Sequence, residues 1–463
     1  MRTSPSGPDL RPLAVGMLAG VFAAAFEGIA VATAMPAAAQ DLGQIELYAW
    51  AFSLYMVGML TGAVAAGRLA DRRGPLPPLA VALVVFAVGL LIAGFAPTMA
   101  WLLIGRLIQG LGAGGLNVGL YFVVAHAYPE KSRPLMMTLF SACWILPAFV
   151  GPPVAAWVTK TWSWHWVFLG IVPLMGLAAI LVLPPLIRLQ SLHKVREGAN
   201  PVPAWIGLVL SGGAVLVQYA GQRFADDRDW LVAVIAGVAG VVLLALGLPR
   251  LMPAGFLRFG QGLPSVMMTR ALVAGSFFGA EAFIPLMLVE LHGQSLTRAG
   301  MMLTIGSVGW FIGSWLQSRP WFRVERHMMI VWGAIAVALG IAGTALVAWL
   351  PGLWVGVAWL IWPLAGFGMG LVIASTGLAQ MAFSPPSQQG RNASAITSGE
   401  SLGNSVITGL AGTIFAALHF TAAPVVGFGA PLTAMIAVAC IGVLAAARIG
   451  PVRSYAVPET QVR

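Results

Sequence analysis

The stretch LAVGMLAGVFAAAFEGIAVATA, Leu13 to Ala34, decides the fold class. It is apolar for about the twenty residues that a helix needs to cross a hydrocarbon core about 30 Å thick, and it carries one acid, Glu27. Similar runs recur to the end of the chain. Of 463 residues 59% are hydrophobic and 9% charged, against roughly 25% charged in an average soluble domain. So few charges cannot cover a water-facing surface, and lipid is the expected solvent. The small residues Ala37, Ala38 and Ala39 resemble a signal-peptide cleavage site, but the run before them is too long for an h-region and contains Glu27.

Working outward, spans are expected at about 12 to 38, 47 to 69, 77 to 96, 99 to 124, 134 to 158 and 164 to 187. Two more follow at about 204 to 222 and 230 to 250. A second six runs at about 265 to 289, 297 to 317, 328 to 349, 352 to 378, 391 to 420 and 424 to 447. The expectation is an all-α integral membrane protein of 14 spans. It divides into a six-helix bundle (1–187), a linker with two additional transmembrane helices (188–262), and a second six-helix bundle with a polar tail (263–463).

The formal net charge of +10 raises the question of a nucleic-acid partner, which the placement of the basic residues answers: they lie in short loops, with no single patch. Twenty fall in one set of alternate loops, among them Arg11, Arg68, Arg72, Arg73 and Arg270. The other set holds Lys160, Arg223, Arg228 and Arg298, and Arg106 alone is left inside a span. Positive charge marks the cytoplasmic side, so both termini are expected there, in a bacterial-type inner membrane. Cys143 and Cys440 give neither a disulfide framework nor metal-ligand spacing, and His126, His165, His193, His292, His327 and His419 are dispersed. No metal, cofactor or enzymatic centre is expected, and no Walker-type glycine loop is present to bring ATP.

The two sixes look duplicated. Glu27 and Glu281 lie in their first spans, and Gly110-x-Gly112-x-Gly114 in one fourth span is echoed by Gly366-x-Gly368-x-Gly370 in the other. Repeats of this kind are the architecture of alternating access. An acid in hydrocarbon is costly and marks function by default; desolvation favours its neutral form, so it can carry a proton. Glu27, Glu281 and Glu400 are therefore the candidates for proton coupling. Glu27 and Glu281 are expected to face one another across a central cavity, with Arg106 biasing their affinity. Glu400, amid Ser394, Thr397, Ser398, Ser401 and Asn404, belongs either to a stripe that joins helices or to a cavity lining beside Asn117. Trp144, Trp310 and Trp362 are mid-span, and either touch an apolar substrate or face lipid.

Four motifs carry a family resemblance. Gly67-Arg-Leu-Ala-Asp71-Arg72-Arg73-Gly74 resembles the major facilitator signature between spans two and three, an acid and arginines forming a conformational latch, with Pro75 and Leu76 replacing the usual basic pair. Arg106-Leu-Ile-Gln109-Gly110 resembles the family's fourth-span motif, whose glycines serve helix packing. Gly151-Pro152 resembles the antiporter signature, with Ala155 and Ala156 in place of its later glycines. Phe26-Glu27 to Pro36 is similar to the first-span motif of the fourteen-span drug:proton antiporter branch, with Glu for Asp. The resemblance implies a proton-coupled multidrug exporter of lipophilic or cationic small molecules, acting as a monomer among membrane lipids. The alternatives are a carrier of endogenous lipids or glycolipids and, further off, a membrane scaffold or enzyme.

Overall fold

The computed structural model describes residues 10–74, 76–128, 133–190, 203–225, 230–317, 319, 321–322, 324–384, 389–419 and 423–452. They are helical almost throughout, because in lipid every backbone N–H and C=O must be satisfied within its own segment. In chain order the helices are α1 (Arg11–Leu42), α2 (Trp50–Arg73), α3 (Leu76–Gly94), α4 (Met99–Ala127) and α5 (Arg133–Thr161). A five-residue helix α6 (His165–Leu169) leads into α7 (Val172–Gln190). Then come α8 (Ala204–Ala225), α9 (Trp230–Leu251), α10 (Leu263–Glu290), α11 (Leu296–Gln317), α12 (Arg326–Trp349), α13 (Gly356–Phe383), α14 (Gln389–His419) and α15 (Pro424–Ala447).

Leaving out α6, the long helices number the 14 expected, but among the described residues only 12 are long and apolar enough to cross a membrane. α5 and α8 are the two outside that set. In α8 the reason is visible: its second half carries Gln218, Gln222 and Arg223 among apolar residues. Of the fourteen expected spans, twelve are thus shown among the described residues, and α8 is a long helix of mixed polarity.

The helices gather into two compact units, Met1–Gly43 with Gly58–Gly207, and Gln44–Val57 with Leu208–Arg463. In the first, α4 meets its neighbours backbone to backbone. A Cβ on Gly114 would strike the Met59 carbonyl of α2, and one on Gly58 the Leu107 carbonyl of α4; Gly112 lies against the backbone of Phe86 on α3. The second unit repeats the pattern: Gly366 and Gly370 of α13 lie on the Gly306 and Trp310 carbonyls of α11, and Gly368 on the Gly333 carbonyl of α12. Without side chains between them, the helices approach to the distance at which dispersion and weak C–H···O contacts act, the main attraction left between helices in an apolar solvent.

In the second unit the first turns of α2 are tied by polar bonds. Trp50 Nε1 donates to Gln222 Oε1 of α8 at 2.7 Å, Ser211 Oγ of α8 donates to the Val57 carbonyl at 3.0 Å, and Tyr48 Oη donates to the Ala282 carbonyl of α10 at 2.8 Å. Gln218 of α8 lies against Gly409 of α14. The amides that make α8 unlike the other helices are therefore buried against protein, with Gln218 and Gln222 each less than a tenth exposed.

Gly114→Val is expected to lower stability by about 1–3 kcal/mol by overpacking the α2–α4 seam. Gly28→Ala, whose added Cβ meets nothing within 4 Å, serves as the neutral control. Thermal unfolding of the purified protein in detergent measures both.

Candidate functional site

In the first unit Glu27 on α1 and Arg106 on α4 form a buried ion pair, 0% and 2% exposed, through Nη1 and Oε1. Arg106 Nη1 also donates to Gln109 Oε1 at 3.1 Å, one turn further along α4, and Gln109 too is fully buried. Removing one member of such a buried pair strands a charge, whereas the pair itself offsets much of its own desolvation. Arg106, expected to bias the affinity of both acids, is bonded directly to one of them. Burying a lone guanidinium in hydrocarbon is costly enough to draw it onto the nearest carboxylate.

In the second unit Glu281 is partly exposed on α10, and among the described residues it has neither an ion pair nor a hydrogen bond. One turn before it stand Phe277 and Phe278. Phe277 stacks on Trp362 of α13 with centroids 5.0 Å apart and meets Trp310 of α11 edge-on at 5.8 Å, while Phe278 lies 6.1 Å from Trp310. Trp362 is fully buried, Trp310 partly exposed, and Trp144 on α5 is exposed. The two tryptophans of the second unit thus share one aromatic wall with α10, and Trp144 belongs to the first unit. Phe277 and Phe278 were invisible as site residues in the sequence, where phenylalanine is too common to single out; their i−4 and i−3 spacing from Glu281 was the available signal.

Glu400 of α14 accepts from Arg270 Nε at 2.7 Å, and Arg270 Nη1 donates to the Ile373 carbonyl of α13 at 3.3 Å. Arg270, counted with the loops in the sequence, lies inside α10; the helix begins at Leu263, so the arginine stands two turns in. Asn404 is buried at 4% exposed, and Ser405 Oγ donates to the Ser53 carbonyl at 3.3 Å, so part of the polar stripe on α14 joins helices. Asn117 on α4 is partly exposed in the first unit.

At the latch motif, Gly74 ends α2 with φ +78°, a left-handed conformation that favours glycine, its N–H donating to the Ala70 carbonyl at 2.8 Å. Arg72 and Arg73 are exposed in the last turn, where cations suit the helix dipole. Gly67 makes ordinary contact with Val118, and the Asp71 side chain lies outside the described residues. Gly151 and Pro152 are buried in α5, Gly151 facing Ile29 of α1. At the end of α4, Tyr128 Oη donates to the Leu10 carbonyl at 3.2 Å; burial pushes its phenol up to about 12, so it stays a neutral donor. A cleft of about 290 Å³ in the first unit, lined by Phe22, Phe26, Val158, Trp162 and Trp166, has no ionisable side chain in its wall.

The model of the Major Facilitator Superfamily matches residues 17–408, and the chain belongs to that family. It is 30% identical, over 70% of its length, to "Multidrug resistance protein 3" of Bacillus subtilis (strain 168), and 24% identical, over 71%, to "Multidrug transporter protein MdtP" of the same organism. The chain covers 64% and 61% of those relatives, a little under two thirds of their length. Among solved structures it resembles the transporter PepTSo, with a TM-score of 0.68 and 14% identity over 95% of this chain and 98% of that one. It also resembles a D-xylose-proton symporter, with a TM-score of 0.65 and 16% identity over 96% and 98%. These are similarities of fold. The protein is a multi-pass, all-helical membrane protein of the Major Facilitator Superfamily.

Arg106→Met, which leaves Glu27 buried without its cation, is expected to cost roughly 3–5 kcal/mol of stability. Adding Glu27→Leu to it should recover most of that loss, as read from melting temperatures of the single and double variants.

Proposed function

We propose that the protein is a proton-coupled exporter of lipophilic and cationic small molecules, of the multidrug type, working by alternating access. It is read as a monomer in a bacterial-type cytoplasmic membrane with both termini inside, the orientation that the loop charges favour. The observation that carries the reading is the Glu27–Arg106 pair, wholly buried between two spanning helices. A proton reaching Glu27 forms an O–H bond and cancels its charge, and the guanidinium loses its partner. The α1–α4 contact thereby gains a second arrangement whose population the proton sets. Gln109 remains within reach of Arg106 and steadies it meanwhile.

Glu281 supplies the second element. A carboxylate without a cation, one turn from Phe278, whose ring lies 6.1 Å from that of Trp310, offers charge and aromatic faces together, the combination that attracts a lipophilic cation. Proton and cation then compete for one carboxylate, and that competition is the simplest form of exchange. The names of the relatives, a multidrug resistance protein and a multidrug transporter protein, support efflux over uptake. The latch residues Gly67, Asp71, Arg72, Arg73 and Gly74 fit a helix end that changes partners between states.

Reconstituted in proteoliposomes, the Glu281→Gln variant is expected to lose proton-driven ethidium exchange by roughly tenfold or more while its melting temperature stays near that of wild type. Ethidium fluorescence and an internal pH dye, read together, measure this. Undiminished proton-driven exchange in the variant would remove Glu281 from the scheme.

A further inference from the structure

We propose that Arg270, Glu400 and Asn404 form a second proton-binding site, in which Glu400 exchanges between the Arg270 guanidinium and the Asn404 amide oxygen. The inference rests on the proton-coupled reading above and adds to it a site and a proton count. The pair closes where α10 and α14 touch: a Cβ on Gly403 would meet the backbone of Ala271 within 3.0 Å, and one on Gly275 the Gly403 carbonyl at 2.9 Å. That approach lets Arg270 reach Glu400 at 2.7 Å, with the side chains 15% and 18% exposed.

Asn404 stands four residues after Glu400, on the same face of α14, where side chains of a helix meet. It is buried, and its Oδ1 has no hydrogen-bond donor among the described residues. A buried acceptor left without a donor is costly. A carboxylate cannot relieve it, having no hydrogen to give; a carboxylic acid can. When a proton binds, an O–H bond forms on Glu400, its ion pair with Arg270 breaks, and the new hydroxyl donates to Asn404 Oδ1. Arg270 keeps its bond to the Ile373 carbonyl, so the released guanidinium retains an acceptor. When the proton leaves, the carboxylate returns to Arg270.

Among the described residues few other charges bear on Glu400; its own helix adds His419, nineteen residues further on, and the Arg391 side chain lies outside the described residues. α10 brings Arg270, with Glu281 and Glu290 eleven and twenty residues further on. α13 has no ionisable residue and α15 only Cys440. Met252, just beyond α9, packs on Gly399, and the Arg250 of α9 donates to the carbonyl of its own Leu246. The segment Gln44–Val57 contributes Glu46, Tyr48 and Tyr55, and α8 contributes Arg223, which donates to Tyr219.

The test uses the full chain in proteoliposomes with ethidium as the probe, recording protons moved per ethidium and the pH of half-maximal exchange. Glu400→Gln should lower the proton count by one. Arg270→Gln removes the partner of the charged form and should move the half-point to higher pH; Asn404→Ala removes the partner of the protonated form and should move it lower, each by about one pH unit. Arg270→Lys keeps a cation and should hold the wild-type half-point, and with Asn404→Ala it decides the matter should Arg270→Gln fail to fold. A merely structural role does not give shifts of opposite sign. An unchanged proton count in Glu400→Gln, or half-points that stay fixed or move together, overturns the site while leaving the proton-coupled reading intact. Ethidium movement without protons in the wild-type protein overturns both.

Discussion

A charge placed in hydrocarbon has to be answered where it stands, because no water is there to answer it. Glu27 and Arg106 meet that constraint by lying on each other, and much around them follows. α1 and α4 must touch at that depth, Gln109 one turn along accepts a further guanidinium hydrogen bond, and α2 and α3 pack against α4. The glycines at 112 and 114 let α3 and α2 do so without intervening side chains. The polar pair and the apolar seam are two parts of one packing solution, and a change in the first is felt in the second.

The second unit meets the same constraint at one pair and leaves one acid unanswered. Arg270 and Glu400 neutralise each other across α10 and α14, and the arginine is anchored besides on an α13 carbonyl. Glu281 is left on the same helix without a cation, beside an aromatic wall. α10 thus carries a satisfied charge near its start and an unsatisfied one further along, eleven residues or about three turns apart. Such an element can respond to an incoming ion at one point while being held at another. The glycine pattern of α13 against α11 and α12 matches that of α4 against α2 and α3, so the two units share a packing scheme while differing in where their charges sit.

Long apolar runs and the rarity of charge inside them made the helical membrane fold, Glu27 and Arg106 legible, since hydropathy and the cost of buried charge are local properties of a segment. The glycine triplets were legible for the same reason: close approach needs small residues at helical spacing. Pairing was not. Nothing in the local sequence of Arg270 says that it lies two turns inside α10 and reaches a residue 130 positions away; at the edge of a span an arginine looks like any loop cation. Nor did the run 204–222 announce that its glutamines would be spent on α2 and α14, because a helix of middling polarity reads as a span until its partners are known. Phe277 and Phe278 acquire meaning only from Trp310 and Trp362, which arrive on other helices.

The polar bonds of α8 bear on how the chain is made. Ser211 and Gln222 find their partners on the segment Gln44–Val57, already synthesised, while Gln218 finds the Gly409 surface only after α14 has emerged. During the interval its amide has no protein to lie against. A bare amide in lipid is penalised, so α8 has reason to linger at the insertion machinery or at the bilayer surface until the last helices arrive. The order of translation then decides when the polar face of α8 meets its last partner, α14.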